Sequence, residues 1–296
     1  MTIIAFIGVG NMGGGMAANL ARAGHEVRAF DLNEAAVQRA VGHGCTAAMS
    51  ARAAAAGADA IVTMLPAGTQ VAAAYGGALF AAASPHAILI DCSTIDVATA
   101  RRVGEAAAEK GLMMVDAPVS GGTDAADAGT LTFMVGGPDA AFAAAQPILA
   151  AMGAAVIHAG AAGMGQAAKI CNNMILGATM IATAEAFVLA ETLGLDAQKF
   201  FDISSKASGQ SWSMTSYCPV PGPVPTSPAN RGYDGGFAAA LMLKDLTLAV
   251  EAAHGTGASV PMGTQAQAQY RAHVDNGGGV KDFSGIIESL RDQAVR

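Results

Sequence analysis

Cysteine is scarce and scattered in this chain. Cys45, Cys92, Cys171 and Cys218 stand far apart, with no CxxC spacing. That argues against a zinc site and a disulfide framework, and reads as the reduced usage of a cytosolic protein. The six histidines are equally dispersed, so no metal is expected. Basic charge is short as well: 16 Lys and Arg face 23 Asp and Glu, a net charge of −7, which speaks against non-specific nucleic-acid binding. Charged residues make up only 13% of the chain and hydrophobic ones 52%, so a sizeable core is expected rather than disorder. No basic leader precedes the strand-like run Ile3–Ile7, and the expected location is cytoplasmic. One apolar stretch could suggest a membrane span, but Met174–Leu189 is short for one, contains Glu185 and is rich in alanine. A buried or subunit-interface helix is expected there, and no membrane partner.

The 296 residues suffice for two domains. The first block reads strand, glycine turn, helix, strand: Ile3–Ile7, then Gly8-Val9-Gly10-Asn11-Met12-Gly13, then a helix through Ala21, then Glu26–Phe30 closing on Asp31. The first glycine makes a tight turn, the second lets backbone approach a pyrophosphate, and the third lets helix pack on strand. The helix N-terminus offers amide donors to phosphates. Asp31 lies eighteen residues past Gly13, where a carboxylate accepts ribose hydroxyls and repels a 2′-phosphate, so NAD is favoured over NADP. The α/β alternation continues through strands at Ala60–Leu65, His86–Ile90 and Leu112–Val115 and a helix at Asp96–Lys110. Ligands collect at strand ends in open parallel sheets, which puts Leu65-Pro66 and Ser93-Thr94 over the cofactor. Ser120-Gly121-Gly122 offers a hydroxyl and bare amides that suit a carboxylate, followed by an expected loop through Gly129.

The second half is expected to be helical. It opens on Gly163-Met164-Gly165-Gln166-Ala167-Ala168-Lys169-Ile170-Cys171-Asn172-Asn173 and the proline-free run Ala167–Leu195, about 40 Å long as a helix. Lys169 and Asn173 are one turn apart on one face. A lysine and two amides heading an apolar helix suit either a side chain snorkelling to water or an ammonium held in a cleft between domains. Further helices are expected near Ala197–Ala207, Phe237–Ala253, Met262–His273 and Phe283–Arg291. Between them the Pro/Gly/Ser-rich stretch Ser208–Gly236, with Trp212 and Tyr217 expected to be buried, reads as an ordered loop walling a pocket. Lys244 and Asp245 diverge by about 100° on a helix and are not expected to form a simple ion pair.

These motifs, in this order over the whole chain, resemble the β-hydroxyacid dehydrogenases. The carriers are Gly8–Gly13 with Met16-Ala17-Ala18-Asn19-Leu20, then Asp116–Gly122, Gly163–Asn173 and Lys244-Asp245. The loop Trp212–Gly222 with Gly235-Gly236-Phe237 is similar to the members that act on 3-hydroxyisobutyrate. The resemblance implies a doubly wound, mostly parallel Rossmann α/β domain over 1–162. It implies an all-α substrate and oligomerisation domain over 163–296, joined to the first by a long helix, in a homodimer or homotetramer. It implies NAD-dependent oxidation of 3-hydroxyisobutyrate to methylmalonate semialdehyde in valine catabolism. Carried over residue by residue, Lys169 becomes the acid/base and Asn173 its partner. Ser120, Gly121, Gly122, Asp245, Trp212 and Phe237 surround substrate. Gly8, Gly10, Asn11, Met12, Gly13, Asp31, Leu65, Pro66, Gln70, Thr94 and Lys244 hold NAD. A lysine base near neutral pH needs burial or a neighbouring cation, a place Lys244 could fill. Another short hydroxyacid (3-hydroxypropionate, 4-hydroxybutyrate, glycerate) remains open as substrate. A non-catalytic NAD-binding scaffold is the rival outside enzymes, and retention of Lys169, Asn173 and the Ser-Gly-Gly turn argues against it.

Overall fold

In the computed structural model, which describes residues 1–294, the chain forms two compact units, Met1–Lys169 and Ile170 onward. The first runs β1 (Ile3–Ile7), α1 (Asn11–Arg22), β2 (Glu26–Phe30), α2 (Glu34–Gly42), β3 (Thr46–Ala47), α3 (Ala51–Ala55) and β4 (Ala60–Thr63). Then come α4 (Gly68–Ala74), a π-helical stretch (Tyr75–Leu79) leading into α5 (Phe80–Ala82), β5 (Ile88–Asp91), α6 (Val97–Glu109) and β6 (Met113–Asp116). It closes with β7 (Val119–Ser120), α7 (Gly122–Ala128), β8 (Leu131–Gly136), α8 (Asp139–Ala150) and β9 (Gly153–Gly160). Helix α9 (Met164–Thr192) begins in this unit and continues into the second, where α10 (Ala197–Ser204), α11 (Trp212–Thr215), α12 (Ala239–Thr256), α13 (Pro261–Asp275) and α14 (Ile286–Ala294) follow.

Strands β1 to β6 pair in parallel in the order β3-β2-β1-β4-β5-β6, and β8 joins β6 antiparallel, with β7 and β9 beside it. This is the doubly wound sheet expected from the sequence. Its strand order reverses beside β1, which lies between β2 and β4, and a sheet of this kind binds its ligand where the order reverses. Strands β4 and β5 are buried at every position, which is why they read as continuous apolar runs rather than alternations. Helix starts follow local chemistry. Asn33 accepts the Ala35 N–H and Asp96 the Thr99 N–H, capping α2 and α6 and satisfying donors that a helix leaves open.

The second unit packs around α9. Met180, Ile181, Ala184 and Phe187 of that helix are buried with Met242 and Leu246 of α12, Tyr270 of α13, and Phe283 and Ile287. A Cβ at Gly177 would meet Leu246 and Met242 at 3.1–3.2 Å, so the small residue lets α9 and α12 approach closely. Helix α9 is long and apolar enough to cross a membrane by length and composition, yet this buried face is core.

Three expectations are corrected. Residues 122–128 form helix α7 rather than a loop, because the stretch lies against α1. There Asn19 Nδ2 donates to the Ala126 carbonyl at 2.6 Å, and a Cβ at Gly15 would strike Asp127. Trp212 is not buried: it is 51% exposed and stacks on Tyr217 with centroids 4.9 Å apart, because its short helix α11 turns Ser213 and Met214 inward instead. Lys244 and Asp245 do form an ion pair, Nζ to Oδ1 at 3.2 Å. The divergence holds for their Cβ atoms, but a four-carbon stem is long enough to reach back.

Candidate active site

The glycine turn leaves β1 at Gly8, whose φ of +93° favours glycine and whose added Cβ would collide with the Met64 carbonyl. Its N–H donates to Phe30 O at 2.8 Å, tying the turn to the end of β2. Gly13 is equally crowded: a Cβ there would strike the Gly8 carbonyl and sit 3.0 Å from the Phe6 ring. Gly10 differs. It is the N-cap of α1, it has φ −67°, and nothing lies within 4 Å of where its Cβ would be. The first and third glycines are required by the fold, and the second leaves open space above an N-terminus that no side chain caps. That space suits a pyrophosphate, to which the amides of Asn11, Met12 and Gly13 would be the donors. At the end of β2, Asp31 accepts the Asn33 N–H through Oδ1 at 2.8 Å, a turn that fixes the carboxylate at the strand's tip.

The ends of β4 and β5 are joined by a buried polar cluster. Asp91 Oδ1 accepts the Thr63 hydroxyl at 2.7 Å and the Ser93 hydroxyl at 2.6 Å; Ser93 Oγ in turn accepts the Leu65 N–H at 2.8 Å. Asp91 thereby fixes both strand-end turns, Leu65-Pro66 and Ser93-Thr94. Gln70 lies on α4 with an exposed side chain that accepts the Thr69 hydroxyl at 2.9 Å. Burial pushes the Asp91 carboxyl up to about 6, although the Ser93 and Thr63 donors pull it back. An unfolded aspartate titrates near ~3.9. Between those values the folded chain holds a proton that the unfolded chain has lost, so this group lowers stability as pH rises from about 4 to about 6, with no further change above. The Tm of Asp91→Asn, relative to the parent, should therefore climb as pH goes from 4 to 7 in a thermal-melt series; a gap constant with pH would contradict this.

Ser120 ends β7, half-buried opposite Thr132, and Gly121 and Gly122 open α7. On α9, Lys169 is 7% exposed and Asn173 1%. Asn173 Nδ2 donates to Asp245 Oδ2 at 2.5 Å, and its Oδ1 accepts from Asn172 at 3.0 Å. Asp245, 2% exposed, thus meets Asn173 through one oxygen and the half-exposed Lys244 through the other. That second contact is at ion-pair distance without hydrogen-bond geometry. Phe237 is half-buried, edge-on to Phe283, and its N–H donates to Asp282 at 2.7 Å.

The structure therefore gathers Asn173, Lys244 and Asp245 into one cluster, and sets Gly8–Gly13, Asp31, Leu65 and Ser93-Thr94 after the C-terminal ends of β1, β2, β4 and β5. Sequence reasoning passed over Asp91 and Asp282. Asp282 is fully buried and accepts from Tyr217, Phe237 and Ser284, organising the loop that carries Trp212. The signal for Asp91 was an acid closing an apolar strand, and Asp282 beside Lys281 carried none; both gain meaning only once their distant donors are known.

A glycine turn of this build at the sheet's reversal point, with an acid at the tip of β2, defines a dinucleotide-binding domain. The family profile described as the NAD-binding domain of 6-phosphogluconate dehydrogenase matches residues 3–160. The profile described as NAD-binding of NADP-dependent 3-hydroxyisobutyrate dehydrogenase matches 163–290. A probable 3-hydroxyisobutyrate dehydrogenase of Mycobacterium tuberculosis is 50% identical over 294 residues, 99% of each chain. A NAD-dependent L-serine dehydrogenase of Pseudomonas aeruginosa is 47% identical over 99% of this chain and 98% of its own. The solved structure of M. tuberculosis 3-hydroxyisobutyrate dehydrogenase with L-serine superposes with a TM-score of 0.93 at 50% identity, covering 98% of this chain and 99% of that one. The chain belongs to the β-hydroxyacid dehydrogenase family and is a NAD-dependent hydroxyacid dehydrogenase.

Proposed function

We propose that this enzyme oxidises 3-hydroxyisobutyrate to methylmalonate semialdehyde, in valine catabolism, with Lys169 as the acid/base. The observation that carries the reading is the pairing of a buried lysine with a buried, hydrogen-bonded asparagine one turn later on α9. NAD, when bound, supplies the hydride acceptor. Lys169 takes the proton of the 3-hydroxyl and, in the reverse direction, polarises the aldehyde oxygen. Asn173, held by Asp245, orients the hydroxyl. Ser120 and the amides of Gly121 and Gly122 hold the carboxylate, and Trp212 and Phe237 wall the methyl-bearing side. Gly8, Gly10, Asn11, Met12 and Gly13 cradle the pyrophosphate and Asp31 takes the ribose. Leu65, Pro66, Gln70, Thr94 and Lys244 complete the cofactor contacts, with NAD preferred to NADP because the Asp31 carboxylate repels a 2′-phosphate. Residues 1–162 serve mainly the cofactor and 163–296 mainly the substrate. Outward-facing Ile175 and Leu189 on α9 support a homodimer or homotetramer built on that helix, in the cytoplasm.

A second reading is L-serine as substrate, favoured by the serine dehydrogenase relative and the serine-bearing structure. The two acids differ in whether an ammonium or a methyl flanks the reacting carbon. An apolar wall of Trp212 and Phe237 favours the methyl, since an ammonium left without partners there is costly. Initial rates with 3-hydroxyisobutyrate, L-serine, 3-hydroxypropionate, 4-hydroxybutyrate and glycerate, each with NAD and NADP, test this. The expected result is the highest kcat/KM for 3-hydroxyisobutyrate with NAD; a higher value for L-serine would overturn the substrate assignment.

A further inference from the structure

The first turn of α9 is fastened to two strand ends. Asp116, at the end of β6, accepts the Gly163 N–H through Oδ1 at 2.7 Å and the Gln166 N–H through Oδ2 at 2.9 Å. Burial raises the Asp116 carboxyl, and these backbone donors draw it back. A carboxylate on the amides of a helix start is a stable anchor. The helix also sits unusually close to the sheet, for a Cβ at Gly165 would collide with the Met134 carbonyl and lie 2.7 Å from the Asp116 carbonyl.

Gln166 goes further than anchoring its own helix. Its side chain is fully buried and reaches the turn after β5, where Oε1 accepts the Ile95 N–H at 3.0 Å and Nε2 donates to the Ser93 carbonyl at 2.7 Å. The two bonds fix the amide's orientation, because a flipped amide would set donor against donor and acceptor against acceptor. They also bracket Thr94, a residue assigned above to the cofactor. Lys169 follows three residues later, and side chains three apart lie on neighbouring parts of one helix face. One buried amide thus links the cofactor-side turn to the helix turn that carries the lysine.

We infer that Gln166 is a positioning residue for the dehydrogenase reaction: it sets the spacing between the Ser93–Ile95 turn and Lys169. The inference rests on Lys169 being the acid/base. A misplacement of about 1 Å at a reacting group costs on the order of 100-fold in rate, whereas a residue serving stability alone would change Tm and leave kcat intact.

The test is Gln166→Met, which keeps length and apolar bulk while removing both hydrogen bonds, assayed beside Lys169→Ala. Expected for Gln166→Met is a kcat lower by about 10–100-fold, an NADH dissociation constant from fluorescence titration within about 3-fold of the parent, and a larger isotope effect on kcat with substrate deuterated at the reacting carbon. Should this variant fail to fold, Gln166→Glu carries the test. Its ionised carboxylate cannot donate to the Ser93 carbonyl, but the protonated acid can, so the ratio of variant to parent kcat should rise as pH falls. A folded Gln166→Met with kcat within about 3-fold of the parent, or a Gln166→Glu ratio that is flat with pH, would overturn the inference. If Lys169→Ala is itself near parental, the acid/base assignment has failed instead, and the two failures are thereby told apart.

Discussion

Lys169→Ala should lower kcat for hydroxyacid oxidation by about 10²–10⁴-fold, the usual contribution of a positioned acid/base. The NADH dissociation constant should stay within about 3-fold of the parent. The separation is the diagnostic part. A proton acceptor acts on the substrate's hydroxyl, while the proposed cofactor contacts are the glycine turn, Asp31 and the turns after β4 and β5. Lys169→Arg should be a poor rescue, because a guanidinium does not deprotonate in proteins. Stopped-flow turnover at saturating NAD, with fluorescence titration of NADH, measures both quantities. Equal losses in affinity and turnover would mean that Lys169 serves cofactor binding or the fold rather than proton transfer.

Gly10→Val should leave the fold intact and cripple cofactor binding. Gly10 has an ordinary negative φ and open space beyond its Cα, so the larger residue meets no protein atom close to its Cβ, and Tm should move little. The isopropyl group would occupy the space in front of the uncapped start of α1. Losing one hydrogen bond to a charged phosphate costs about 1.5–3 kcal/mol, which is roughly 10–100-fold in affinity, and steric exclusion adds to it. Gly13→Ala should do the reverse, lowering Tm markedly because its Cβ collides with the Gly8 carbonyl. Isothermal titration with NADH and thermal melts of both variants check the contrast. A Gly10→Val protein that binds NADH normally would remove the pyrophosphate from this turn.

Much of this arrangement was legible in the chain. The glycine turn announced itself because strand, helix start and acid all lie within the first 31 residues, and each has a local signature. Buried parallel strands showed as unbroken apolar runs, and Lys169 with Asn173 stood out as polar residues on an apolar helix. What escaped were features made by distant partners. Gln166 belongs by its spacing to α9, and nothing near it says that its amide meets Ser93 and Ile95, over 70 residues earlier. Asp91 drew no notice and Asp116 read only as the start of the Asp116–Gly122 motif, since the donors that define them lie elsewhere. The stretch 122–128 begins on the last residue of the turn-like Ser120-Gly121-Gly122, and packing against α1 overrode that local cue. Lys244 and Asp245 were judged by backbone angle alone, which ignores how far a lysine reaches.

The most direct measurement is a crystal structure of the enzyme in a dead-end complex with NADH and 3-hydroxyisobutyrate, in which no turnover can occur. The account predicts Lys169 Nζ within hydrogen-bond reach of the substrate's 3-hydroxyl, about 3 Å, with Asn173 beside it. A hydroxyl bound instead by another titratable group, with Lys169 Nζ more than twice that distance away, would contradict it.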